Sequence, residues 1–309
     1  MYSGNVKAQL IDNTSTFRNI NSRSYFRFHY DNDYFTKTDK YYSQGVTFDY
    51  VGHGISHFFL SKLLWKPYTS LPQYGVSVNL FAYTPTTLGS DSILYGDRPF
   101  DADISLKTFL IQADAVHKQQ VSTAFSIGIM GPWALGREIQ YGIHKWLKNR
   151  LPHGWQYQVH NDVIINYQVN YEKELISAGN YFLLNATAEA RAGTLNDKVS
   201  GGFNLVAGRF NKRFLPICGD KQKAEYYFYA QSRVNVVGYD ASLQGGLFNR
   251  SSPYTIPNGD ISRLTLQADA GVIVNFKKLY FSYTQSFLTK EFRSGKYHRW
   301  GGVSIGFSL

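Results

Sequence analysis

Apolar and polar residues alternate with a period of two along most of this chain. The closing stretch "GGVSIGFSL" sets Val303, Ile305, Phe307 and Leu309 on one face and Gly302, Ser304, Gly306 and Ser308 on the other. "RLTLQADAGVIVNF" aligns Leu264, Leu266, Ala268, Ala270, Val272, Val274 and Phe276, and "VSTAFSIGI" aligns Val121, Thr123, Phe125, Ile127 and Ile129. In "YFLLNATAEARAG" the opposite face carries Asn185, Thr187, Glu189 and Arg191. Such segments, about ten residues long and separated by turns, are what a membrane-spanning strand requires, because only every second side chain meets lipid. The pattern predicts twelve strands, near 22–31, 41–52, 74–84, 103–114, 120–130, 157–173, 180–194, 199–210, 225–240, 262–276, 279–290 and 300–309. An even number closes a barrel with both termini on one side, so the longer, odd-numbered loops face outward. Two inner turns, 53–73 and 211–224, are too long for simple reversals. "SHFFLSKLLWK" in the first carries Phe58, Phe59, Leu63 and Leu64, which suit a short interfacial helix. The expected fold is therefore all-β: a 12-stranded antiparallel transmembrane β-barrel, residues 1–309 as a single domain with 1–21 as an N-terminal extension.

Composition agrees. Aromatics make up 17% of the chain and charged residues also only 17%, with 24 Tyr, 22 Phe and 27 Gly. Mean hydropathy is −0.30 and no run of 18 apolar residues occurs, which excludes a helical membrane protein. The net charge of +10 favours an anionic partner. Lys and Arg are dispersed rather than gathered on one helix or strand, which argues against nucleic acid and leaves phosphorylated lipid or a merely solvated surface. Cys218 is alone, so no intrachain disulfide forms. Residues 1–20 hold no apolar signal core, so the barrel reading expects a mature form with a replacement Met1.

The exception to the alternation is "GREIQYGIHKW", the clearest helical stretch, within a loop helix expected over about 134–150. Ile139, Ile143, Trp146 and Leu147 form its apolar stripe. Gln140 and His144, four residues apart, share a face beside it. Two other polar groupings sit at the outward ends of strands one and two. "HYDNDYF" holds Asp31, Asn32 and Asp33, and "YYSQG" holds Ser43 across the hairpin. Three successive oxygen-bearing residues are a turn signal; the same oxygens suit a hard cation. Strand parity puts Asn32 on the lipid side and Asp33 and Ser43 on the lumen side, and a bulge at either strand end would bring them together.

These pieces occur in a fixed order: "NDYF" (32–35), "YYSQG" (41–45), "YTP" (83–85), "GDRPF" (96–100), "GPWALGREIQYGIH" (131–144), "GWQYQ" (154–158), "DASLQG" (240–245) and "EFRSG" (291–295). Together they resemble the outer-membrane lipid A 3'-O-deacylase family of Gram-negative bacteria, over most of the chain. The resemblance implies a twelve-stranded barrel in the bacterial outer membrane, its site between the wall and a loop helix, facing the cell exterior. By that resemblance His144 is the general base for water attacking the ester-linked 3' acyl chain of lipid A. Gln140 orients water or substrate, Asp33 holds Ca²⁺, and Asn32 and Ser43 complete the oxyanion hole or the metal shell. The implied partners are lipopolysaccharide and outer-membrane lipids, with no nucleic acid and a monomeric state. No Gly-x-Ser-x-Gly elbow is present, in keeping with a reaction without a covalent nucleophile. Two positions depart from the family. Where relatives carry a basic pair after Tyr-Ser/Thr-Pro, this chain reads "TTLGSDS", and Asp101-Ala102-Asp103 replaces small residues. Arg98, Lys145, Lys148 and Arg150 are the remaining candidates for a lipid phosphate. The alternatives are a non-enzymatic barrel (porin, adhesin or structural protein) and a soluble basic β-protein.

Overall fold

Period-two patterning produces strands here because each has somewhere to put both faces. A computed structural model describes residues 13–36, 41–146, 148, 150–211, 214 and 224–309. Its strands are β1 (Tyr25–Asn32), β2 (Tyr41–Val51), β3 (Gln73–Thr84), β4 (Asp101–Asp114), β5 (Gln119–Met130) and β6 (Asp162–Ala178). The second half adds β7 (Phe182–Gly193), β8 (Asn196–Arg209), β9 (Glu225–Asp240), β10 (Leu264–Phe276), β11 (Leu279–Leu288) and β12 (His298–Ser308). Each strand pairs antiparallel with the next, and β12 returns to β1 through the register Tyr25↔Ser308 to Asn32↔Gly301. The sheet is a closed barrel, so no edge is left to pair with another chain. Phe26, Phe28, Phe48, Val272, Val274, Phe281, Ile305 and Phe307 are exposed on the outer wall. Cross-strand aromatic pairs such as Phe28 with Phe48, ring centroids 4.9 Å apart, stiffen it.

The lumen is full. Glu189, from the polar face of β7, meets Arg191 at 2.8 Å, Lys198 at 2.6 Å and Arg233 at 3.3 Å. At the end that carries both termini, residues 13–24 do not extend away but turn inward. Thr16 donates its backbone N–H and hydroxyl to Glu172 (2.7 and 2.5 Å), Arg18 donates to the Tyr229 hydroxyl (2.7 Å), and Phe17 stacks on Tyr229 at 4.3 Å. Arg27 of β1 donates to the carbonyls of Asn13 and Arg18 and pairs with Asp49 at 2.7 Å. At the far end three loops interlock. Gly96 donates to the Tyr254 hydroxyl (2.7 Å), which donates to the Asp97 carbonyl (2.8 Å). Tyr41, Leu243, Ile256, Ile261 and Phe292 form an apolar cap. A four-residue helix α2 (Ala241–Gln244), N-capped by the Asp240 carboxylate through Ser242 N–H, falls within the "DASLQG" motif.

Several boundaries differ from the expectation. β6 begins at Asp162 because Trp155–Tyr157 is a 3₁₀ turn, and it continues through "ELISA" with a bulge between Glu174 and Ile176. The loop helix is shorter than 134–150: α1 spans Gly136–Trp146, after a 3₁₀ turn at Pro132–Ala134. The expected interfacial helix is two 3₁₀ turns, His53–His57 and Phe59–Leu63. These turns fold onto the outer wall, where Trp65 donates its N–H to the Tyr167 hydroxyl at 2.8 Å. Leu147, Cys218 and most of 211–224 lie outside the described residues.

Candidate functional site

The hairpin β1–β2 supplies the first half of the site. β1 ends at Asn32, where the chain turns into a 3₁₀ segment, Asp33–Thr36. Asn32 keeps the outward parity of Phe26 and Phe28. Its amide donates to the Ser43 carbonyl (2.6 Å) and the Tyr30 hydroxyl (3.0 Å), and its oxygen accepts the Tyr34 N–H (2.7 Å). Every polar atom of that amide is engaged, so its orientation is fixed. Asp33, being outside the strand, escapes the alternation and is 4% exposed. Ser43 sits in a bulge: pairing with β3 shifts between Tyr42 and Gln44. Without it Ser43 would share the lumen face with Thr47 and Asp49. With it the Ser43 hydroxyl lies 2.5 Å from that of Thr84, which has the outward parity of Val76, Val78 and Ala82. The parity conflict read from the sequence is thus resolved by a one-residue bulge.

The second half is α1. It follows β5 through Leu135, whose left-handed backbone (φ 60°) reverses the chain. The helix then lies against the outside of β4, where Ala82, Leu88, Phe100, Ala102, Ala134 and Trp155 form one buried cluster. Gly136 makes this possible, since a Cβ there would stand 2.3 Å from that of Ala102. Gln140 is buried and accepts the Trp155 indole N–H at 2.7 Å. His144, half-buried one turn later, has Nδ1 2.6 Å from the Arg150 carbonyl. A carbonyl can only accept, so Nδ1 carries the proton, and in the neutral ring Nε2 is left as the base nitrogen. Among the described residues no hydrogen bond of Asn32, Ser43, Gln140 or His144 crosses between the two halves. They flank one strip of wall: Ala82, packed in the Trp155 cluster, is two residues from Thr84 on the same face of β3.

The cationic candidates separate. Lys145, Lys148 and Arg150 are exposed. Arg98 is fully buried instead: it pairs with Glu291, donates to the Ser242 hydroxyl (2.7 Å) and lies 4.2 Å over the Tyr83 ring. Burial works against its charge, but the Glu291 carboxylate outweighs that and holds its pKa above the ordinary value. Its guanidinium ties the capping loops together and does not reach the lipid surface. No group of three or more His, Cys, Asp or Glu able to hold a metal occurs among the described residues. The Asp33 carboxylate lies in a turn where Thr36 donates its hydroxyl to the Asp33 carbonyl at 2.9 Å, so the identified donors are oxygens. That donor chemistry fits a hard cation and not a nitrogen- or sulfur-seeking one.

Sequence reasoning did not single out Thr84 and Trp155 as site residues, although "YTP" and "GWQYQ" contain them. It also missed a Ser–His–Asp arrangement inside the barrel. His29 has Nδ1 2.6 Å from the Ser304 hydroxyl and Nε2 2.7 Å from Asp31. All three are at most 2% exposed, so no substrate carbonyl can approach and the group serves the lumen's hydrogen bonding.

Three comparisons with known proteins bear on this geometry. A family model described as "Outer membrane protein LpxR" matches residues 6–309. The solved structure of LpxR from Salmonella typhimurium superposes with a TM-score of 0.75 at 19% identity, covering 93% of this chain and 100% of that one. The β domain of the Bordetella autotransporter BrkA reaches a TM-score of 0.48 at 8% identity, covering 94% and 100%. No curated protein sequence matches.

Proposed function

From the premise that this chain belongs to the LpxR family of outer-membrane proteins, we propose that it is a lipid A 3'-O-deacylase, acting as a monomer in the outer membrane. The far end of the barrel, with α1 and the β1–β2 hairpin, faces the cell exterior in this reading. The observation that carries it is the placement of His144: its Nδ1 is held 2.6 Å from the Arg150 carbonyl, on a helix packed against the outer, lipid-facing wall.

The chemistry follows from that placement. A water held by His144 Nε2 loses a proton to the imidazole as its oxygen bonds to the ester carbonyl carbon. The carbon–oxygen bond to the sugar then breaks, and the departing oxygen regains the proton from the imidazolium. The products are a fatty acid and a free 3'-hydroxyl. Gln140, held by Trp155, orients water or the acyl amide and hydroxyl groups. Ser43 and Thr84, with the hairpin shaped by Asn32, face the developing oxyanion. Asp33 and neighbouring oxygens would hold Ca²⁺, which supplies electrostatic stabilisation of negative charge on the carbonyl oxygen. Lys145, Lys148 and Arg150, exposed at and after the end of α1, supply the cations for lipid phosphates in this reading.

Mass spectrometry of lipid A incubated with the purified barrel tests this. The expected result is loss of the 3' acyl mass with Ca²⁺ present and no loss in EDTA. His144→Ala should lower the rate by about 100-fold or more with the barrel still folded. An unchanged acyl count in the wild-type reaction rejects the proposal.

A further inference from the structure

The outer wall across β7–β12 carries a groove of about 570 Å³ whose rim end reaches Thr36. Its floor is Ala230 of β9 with Ala268 and Ala270 of β10, whereas the same outward faces carry Phe228, Val234, Leu266 and Val272 on either side. Cross-strand pairing sets the groove's course. One row runs Phe203, Ser232, Ala268, Phe287, Arg299, each residue opposite the next on the neighbouring strand. Four inter-strand steps make this row about 19 Å long. Its Arg299 end is the second residue of β12, at the far rim of the barrel, and the groove's Leu184 lies only two residues from the opposite end of β7. The groove therefore descends from the rim into the zone of the apolar wall.

The mouth has a different chemistry from the floor. The Arg299 guanidinium lies 5.7 Å over the Phe287 ring, and Tyr297 packs against the same ring at 5.9 Å. Lys296 and Arg299 are both exposed there. A cationic, aromatic mouth over an apolar trough matches a lipid whose phosphate stands at the interface with one chain below it.

We propose that this groove is a binding site for a phosphate-bearing lipid of the leaflet at the far end, with one acyl chain along Ala230, Ala268 and Ala270 and the phosphate at Arg299. Its trough lies away from His144 and Gln140, its mouth adjoins the Asp33–Thr36 segment through the Thr36 hydroxyl on the Arg299 carbonyl (2.8 Å), and the proposal does not depend on the hydrolytic reading. The alternative occupant, a second copy of the chain packed on its small residues, is an outcome of the test.

Native mass spectrometry of the barrel released from micelles containing phosphatidylglycerol or phosphatidylcholine of identical chains decides it. The wild type should retain one phosphatidylglycerol in preference to phosphatidylcholine by about fivefold. Ala268→Leu/Ala270→Leu should fill the trough and reduce retention by about tenfold for every two methylenes displaced. Arg299→Gln should keep the chain but equalise the two headgroups. Lipid A hydrolysis, assayed on the same samples, should be unaffected by the alanine substitutions. Equal retention of both lipids by the wild type, unaltered retention by the filled variant, or a lipid-free dimer each overturns the proposal.

Discussion

His144 and Gln140 differ in what the sequence could say of them. Their spacing put both on one helix face, and they are there, but nothing local announces that Trp155, fifteen residues away, donates to Gln140. That partnership exists only because loop 150–161 folds back over α1. It makes Gln140 a tethered group. Trp155→Phe removes the N–H together with part of the buried indole that packs against Phe100 at 5.0 Å. Deacylation should fall, and combined with Gln140→Ala the loss should be less than additive, with a coupling of about 1 kcal/mol. Equal additive losses, read from kcat/KM, would mean that the two side chains act independently. Asn32 and Ser43 were legible as a pair across a hairpin, whereas their common face was not, because one inserted residue reverses parity and leaves no compositional mark.

Strands were the most legible elements. Twelve were readable because lumen and lipid impose opposite demands on alternate residues. The failures lie where tertiary contacts replace periodicity. The turns His53–His57 and Phe59–Leu63 show helical apolar spacing, but Ser61 donates to the Ile55 carbonyl (2.9 Å) and meets Thr108 (3.0 Å), which pins them as short 3₁₀ pieces on the wall. Helix α1 is positioned by one contact more than by its sequence: the Gly136 backbone on Ala102. Gly136→Ala should lift α1 from β4. The expected outcome is a barrel that resists SDS as the wild type does, with deacylation reduced by at least about tenfold, since misplacement near 1 Å costs that much or more. Loss of the folded band on unheated gels would instead make Gly136 a requirement of the barrel itself.

As a whole molecule, the chain is a cylinder whose lumen is largely occupied. Its polar lumen residues were legible from alternation, but their occupation was not. The N-terminal segment was expected as an extension, and its Asn-, Ser- and Thr-bearing sequence gives no sign that Glu172, Tyr229 and Asn170 await it. Purified barrel in planar bilayers should show no stepwise conductance, and steps of constant size would revive the porin reading. The interlocked loops over Tyr254 and Asp97 argue the same from the other end.

The inward-turned segment also constrains assembly. Residues 13–24 immediately precede β1, and the β1–β12 seam joins the first strand to the last. The segment bonds to Glu172 of β6 and Tyr229 of β9 across the lumen from that seam, so it is expected to be seated before or during closure rather than inserted afterwards. Maturation into the membrane then depends on a stretch that crosses no lipid. Phe17→Asp should slow the appearance of the compact, gel-shifted form in refolding from urea without altering any strand. Wild-type kinetics in that variant would show that the seam zips first and the filling follows.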